Sequence, residues 1–142
     1  MDAVTYLKQE HRKIKKMLIN VNKLSNEKVK LRKFKELCKY LPKHEKTEEK
    51  KWYPPLRKDP ALRSIINHLI KEEKAAGKAI KKLLATDYGK LWKLKFAKLK
   101  KDVLHHAKEE ETKLFPKARN FLDKKELNKL GTTLRKFKAS LK

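Results

Sequence analysis

Apolar residues recur along this chain at alternating three- and four-residue steps, and the pattern appears twice with one spacing between the copies. The first stripe is Val4, Leu7, His11, Ile14, Leu18 and Val21, and the second is Phe34, Leu37, Leu41, His44 and Glu48. The third is Ile66, Leu69, Glu73, Ala76, Ile80 and Leu83, and the fourth is Phe96, Leu99, Val103, His106 and Glu110. Such steps put every member of a stripe on one face of an α-helix. A shift of 62 positions (44 to 106, 48 to 110) lays the first pair of stripes on the second and Tyr53-Pro54 on Phe115-Pro116. A helical hairpin that cannot bury its own stripe has been doubled, and two such hairpins closing on each other make a four-helix bundle. A fifth stripe, Leu127, Leu130, Leu134, Phe137 and Leu141, contains no ionisable member and predicts an added helix. The expected fold is all-α: an antiparallel up-down bundle of hairpin repeats at about 2–56 and 60–118, with a C-terminal helix at about 124–141, in a single domain over 1–142.

Punctuation between the stripes agrees with helices. Asp59-Pro60 sets a capping carboxylate before a proline at a first helical position. Ser25-Asn26 and Thr86-Asp87 are further candidate caps, and Asp123 with Glu126 has capping-box spacing. Tyr53-Pro54-Pro55 and Phe115-Pro116 are expected to stop the second and fourth helices, and Pro42 to kink the second one just before His44.

Composition narrows the class further. Only 3 Gly and 5 Pro occur in 142 residues, while 41% of the residues are charged, as suits a helical protein with a solvated surface. The balance of 41 basic against 17 acidic side chains gives +24, which draws polyanions at low salt. The lysines are spread through every segment and form no single basic stretch, so the charge reads as a solvated lysine-rich surface; nucleic-acid contact would be non-specific. The lone Cys38 excludes an internal disulfide and suits a reducing compartment. No stretch approaches transmembrane length and no apolar leader opens the chain, so the expected location is cytoplasmic, with no membrane association.

The chemistry lies where the stripes are interrupted. His11, His44, Glu48, Glu73, His106 and Glu110 fall at core positions, all at one level of the bundle. Burying an unpaired charge costs several kcal/mol, so three imidazoles and three carboxylates there must satisfy one another or share metal. His44 with Glu48, and His106 with Glu110, are one helical turn apart and point the same way. Six N and O donors converging from four helices suit one or two first-row transition ions, and the absence of thiolate argues against a structural zinc site. Glu72 beside Glu73, and His68 at the edge of its stripe, are alternatives on the third helix. His105 is expected to face outward, and Glu49 and Glu111 to support neighbouring ligands or the surface. Tyr53, Phe115 and Trp52 read as apolar plugs beside the site, with Tyr53 also able to support it, and Cys38 as a core or boundary residue.

Glu10-His11, His44-x-x-x-Glu48-Glu49 leading to Tyr53-Pro54, and His106-x-x-x-Glu110-Glu111 leading to Phe115-Pro116 resemble the hemerythrin-like, HHE cation-binding family over roughly residues 4–117. The resemblance implies a centre of two non-haem iron ions, carboxylate- and oxo- or hydroxo-bridged, with Glu48 and Glu110 bridging and His11, His44 and His106 terminal. It departs from the family on the third helix, where Glu73 stands in place of a histidine and Leu69 in place of an earlier one. Extra anionic oxygen favours the ferric state, so the resemblance implies reaction with or sensing of O2, peroxide or NO, or iron handling, over reversible oxygen carriage. A ferroxidase or peroxide-reducing activity is the enzymatic form of that reading. A basic bundle that docks on nucleic acid or an acidic partner, with a structural or vestigial metal, is the alternative.

Overall fold

Every member of the first four stripes is buried, and the chain is helical with no strand. The computed structural model describes all 142 residues. Five long helices carry the stripes: α1 (Ala3–Lys23), α2 (Glu27–Thr47), α4 (Arg63–Leu84), α5 (Lys90–Glu109) and α7 (Lys124–Ser140), with short helices α3 (Tyr53–Leu56) and α6 (Phe115–Phe121) between them. Helix α1 packs mainly on α2 and α7, and α4 packs on α5.

Local sequence explains most of the boundaries. The Asp2 carboxylate accepts the Thr5 N–H at 2.8 Å to start α1, and Asn26 accepts from Val29 to start α2. Asp123 and Glu126 form the full reciprocal capping box of α7. Asp59 caps a 3-10 turn at Pro60–Leu62 that leads into α4. The start of α5 differs from expectation. Gly89 precedes it with no side-chain cap, while Thr86 turns back to the Lys82 carbonyl at the end of α4.

Pro54 and Pro116 also act differently from expectation, since each lies inside a further short helix. Helix α2 runs through Pro42, and the departure from α geometry comes six residues later, in a π turn at Glu48–Trp52. A second π turn lies at Glu110–Leu114, again 62 positions on (48 to 110). In each, the closing N–H reaches back five residues, Tyr53 to the Glu48 carbonyl and Phe115 to the Glu110 carbonyl. The physical cause is the proline that follows. Pro54 and Pro116 lack an N–H, and their rings would clash with the carbonyl four residues earlier in a continued α-helix. A wider turn removes that clash, and each proline then sits in the first turn of the next short helix, where its missing N–H costs nothing. The extra residue also lets two consecutive large side chains face inward: Trp52 with Tyr53, and Leu114 with Phe115.

The core is divided. One apolar cluster of 15 residues includes Leu7, Trp52, Tyr53, Ile66, Leu69 and Phe115, and α7 contributes Leu127 and Leu134 to it. A second cluster of 13 includes Ile14, Phe34, Leu37, Trp92, Phe96 and Leu99. The six ionisable members of the first four stripes fall between them. Helix α7 docks through Gly131, where a Cβ would collide with the Met1 carbonyl and come within 2.9 Å of the Ala3 nitrogen. No helix is long and apolar enough to cross a membrane.

Candidate metal centre

The two apolar clusters leave a layer in which all six predicted donors meet. The donor atoms of His11, His44, Glu48 and Glu110 lie within 4.8 Å of one another, and so do those of Glu48, Glu73 and His106. Glu48 is common to both sets. The π turns begin at Glu48 and Glu110, so the widened backbone starts at the two carboxylates that reach farthest into the bundle, both fully buried.

Each histidine is gripped in the same way. His11 has Nδ1 2.8 Å from Glu111 Oε2 and Nε2 3.0 Å from Glu110 Oε1. His44 has Nδ1 2.7 Å from Glu10 Oε1 and Nε2 3.1 Å from Glu48 Oε1. His106 has Nδ1 3.0 Å from Glu72 Oε1 and Nε2 3.2 Å from Glu73 Oε2. An ionised carboxylate only accepts, so Nδ1 carries a proton in all three rings and Nε2 is the nitrogen aimed at the centre. A carboxylate behind each imidazole is the arrangement that fixes ring tautomer and orientation in metal sites.

The residues fit a cation. His11 Nε2, both oxygens of Glu48, both oxygens of Glu110 and Glu73 Oε1 are buried without a hydrogen-bond partner. Orphaned buried polar atoms are costly, and six gathered in one layer are surroundings that bound cations satisfy. Protons supply part of the positive charge in the metal-free protein. Burial alone would depress His11, but Glu110 and Glu111 hold it up at about 9. Burial likewise opposes a rise at His106, and Glu73, Glu110 and Glu72 lift it to about 10. Burial and the neighbouring Glu110 and Glu73 push Glu48 well above the usual carboxylate range. Glu110 goes the other way: burial would raise it, but Glu48, His11 and His106 pull it down.

The remaining predicted residues take supporting places. Tyr53 is fully buried, and its hydroxyl donates to Glu73 Oε2 at 3.1 Å. Phe115, its counterpart in the repeat, stacks on the His11 ring at 5.8 Å, and Trp52 meets Phe115 edge to face. Glu72 lies behind His106, and the exposed His68 lies outside the inner layer, 3.5 Å from Glu72 Oε2. Cys38 is half-buried against the second apolar cluster. Glu10 enters the sequence reading only as part of the Glu10-His11 motif and is given no role there, although it is buried and its carboxylate meets His44, Tyr6, Tyr40 and Lys138. Its signal was available in the repeat, because Glu10 precedes His11 as Glu72 precedes Glu73. Glu45 is a further buried carboxylate, raised by burial and by Glu73, and its repeat position holds Ala107.

A cleft of about 820 Å³, its open mouth included, extends from the buried His11, His44 and His106 to the exposed His105, with Ile14, Leu41, Ala76, Leu99 and Val103 along its walls. Small apolar walls next to unsatisfied donors give room for a small neutral molecule.

No curated protein and no solved structure matches the chain. The family model of the hemerythrin HHE cation-binding domain matches residues 2–118, which cover the layer of donors and both π turns. The chain belongs to the hemerythrin HHE cation-binding family.

Proposed function

We propose that the buried layer would hold two iron ions through His11, His44, Glu48, Glu73, His106 and Glu110, and that the protein reacts with or senses O2, peroxide or NO, or handles iron. The observation that carries this reading is the pair of overlapping donor sets that share Glu48, together with the six orphaned atoms that His11, Glu48, Glu73 and Glu110 bring to them. Two irons, when bound, supply the one- and two-electron chemistry that small oxidants require. The chain's own residues do the rest. Glu10, Glu72 and Glu111 orient the three imidazoles through Nδ1, and Tyr53 fixes Glu73. The cleft walls admit a small neutral ligand and keep bulk water away from the donors.

The architecture that supports this site is proposed to be an up-down bundle of α1, α2, α4 and α5, with α7 as the added fifth helix, in one domain. Short connections after α1 and after α4 favour antiparallel neighbours. Glu73 adds an anionic oxygen where the family has a histidine, which stabilises the ferric state and favours oxidant chemistry or sensing over carriage.

The test is metal content and the optical spectrum of protein made in iron-supplemented medium, beside a His44→Ala/His106→Ala variant. About two irons per chain, with ferric charge-transfer bands in the near ultraviolet that the variant lacks, are expected. A wild-type chain that takes up no iron overturns the proposal.

A further inference from the structure

Beside the inner layer, four side chains on α4 and α5 meet, of which Glu72 also touches the inner ring of His106. They are His68 and Glu72 on α4 and His105 and Glu109 on α5. Each pair is four residues apart, the same spacing that aims His44 and Glu48 at one point. His68 Nε2 lies 3.5 Å from Glu72 Oε2 and 3.5 Å from Glu109 Oε2. His105 Nε2 lies 2.6 Å from Glu109 Oε1 and 4.0 Å from Glu72 Oε2.

Two features separate this cluster from an ordinary surface ion-pair network. The Glu109 side chain is only 10% exposed, and its Oε1 is buried without a hydrogen-bond partner although His105 Nε2 is so close. The ring nitrogen approaches the oxygen without the geometry of a hydrogen bond, which leaves that oxygen available to a cation. The two imidazoles, 58% and 64% exposed, stand open to solvent above this buried carboxylate. Lys113 meets Glu109 at 3.4 Å through the other oxygen, Oε2, and is itself exposed, so an arriving cation can displace it.

We propose that His68, Glu72, His105 and Glu109 form an outer binding site for a divalent first-row ion, at the mouth of the cleft. Two imidazoles with two carboxylates are a donor set of the right kind and number for a four-coordinate ion. The outer site shares a residue with the inner layer: Glu72 Oε1 holds His106 while Oε2 faces His68 and His105. Glu72 and His105 both line the cleft that leads to His11 and His44.

The test uses the full chain, titrated with Zn²⁺ by calorimetry and by NMR of histidine ring nitrogens. Three proteins are compared: wild type, the outer variant His68→Ala/His105→Ala and the inner variant His44→Ala. Wild type and the inner variant are expected to shift the His68 and His105 resonances with one equivalent of Zn²⁺. The outer variant is expected to lose that equivalent, its affinity falling at least about 100-fold, since changes even behind the ligands cost 10–100-fold. Glu109→Gln, which keeps the shape of the side chain, is expected to weaken the same equivalent at least about tenfold. Identical isotherms for wild type and outer variant, or Zn²⁺ uptake that leaves His68 and His105 unshifted, overturns the proposal. Failure of the inner centre shows separately, as lost inner binding with the outer equivalent intact.

Discussion

The two halves of the centre are copies of one hairpin, yet they are supported differently. In the first half Glu10 holds His44, and in the second Glu72 holds His106 at the equivalent place. Glu10 is sealed by Tyr6, Tyr40 and Lys138. Glu72 instead turns its second oxygen to the exposed His68 and His105. Part of the difference is α7, which supplies Lys138 and packs on α1, α2 and the first π turn, and part is Tyr6 and Tyr40, whose repeat positions hold His68 and Asp102. The ligand positions diverge as well. His11 pairs with Glu111, whereas Glu73 faces Glu49, whose own carboxyl is raised by burial and by Glu73. Tyr53 meets Glu73 through its hydroxyl, while Phe115 stacks on His11. Duplication set the geometry of the donors, and later changes made one side closed and the other accessible.

Charge balance links both halves, so pH is expected to produce the largest effect. His11 and His106 are raised to about 9 and about 10 from 6.5, so they bind protons more tightly when folded. Their stabilisation is complete below pH 6.5 and is lost as the pH climbs through 9 and 10. Glu48, also raised, acts in the same direction above its unfolded value. Glu10 is lowered to about 2, since burial is outweighed by His44 and Lys138, and its contribution is lost only as the pH falls from 4.5 toward 2. Metal-free protein is therefore expected to lose several kcal/mol, on the order of 7, between pH 6.5 and 10, measured by urea unfolding. Metal replaces the protons, so loaded protein is expected to be much flatter over that range. A flat profile in the metal-free protein would mean that the imidazoles are not charged in the layer.

Gly131→Ala comes next. Its Cβ would collide with the Met1 carbonyl and crowd Asp2 and Ala3, all main chain and so unable to swing aside. Overpacking costs about 1–3 kcal/mol, against a helix-propensity gain of about 1 kcal/mol for leaving glycine. A net loss of up to about 2 kcal/mol is expected in thermal unfolding, because the atoms met are main chain. A gain in stability would mean that α7 rests on α1 more loosely than the structure places it, and the closed half would not be closed.

How much of this was legible in the sequence follows from the kind of force involved. The four inward stripes depend on helical periodicity and burial alone, and each of their members is buried. The convergence of His11, His44, Glu48, Glu73, His106 and Glu110 followed from the same periodicity plus the repeat. The π turns did not follow, because a period of 3.6 residues has no place for an inserted residue. The inward pairs Trp52-Tyr53 and Leu114-Phe115, each just before a proline, were the available hint. The partners of the imidazole Nδ1 atoms were harder still. Glu111 reaches His11 across 100 positions and Glu10 reaches His44 across 34, and no local rule selects one glutamate among many for such a contact.

Lys138→Met tests the closed half more gently. Lys138 is the residue through which α7 reaches the site, with its ammonium against Glu10 and over the Tyr40 ring at 3.6 Å. Methionine keeps the length and apolar contact of the stem but leaves the Glu10 carboxylate short of a cation. Removing one partner of a partly buried pair is expected to cost roughly 1.5 kcal/mol by denaturant midpoint, below the range for a fully buried pair. Metal affinity is expected to fall about tenfold, because Glu10 is the carboxylate that orients His44.

The open half is expected to answer the matching change least. In metal-free protein, His68→Ala/His105→Ala removes two exposed rings that rest on Glu72 and Glu109. Neither ring fills the core, and surface changes of this kind fall within about 0.5 kcal/mol. Glu72 keeps its contact with His106, so the inner layer loses no partner. The unfolding midpoint should therefore stay within that margin of wild type, while Lys138→Met shifts it clearly. A loss above about 1 kcal/mol would make His68 and His105 structural supports of Glu72, as Lys138 is of Glu10. The two halves would then be closed by different residues to the same degree, and the contrast between them would reduce to which helix supplies the cover.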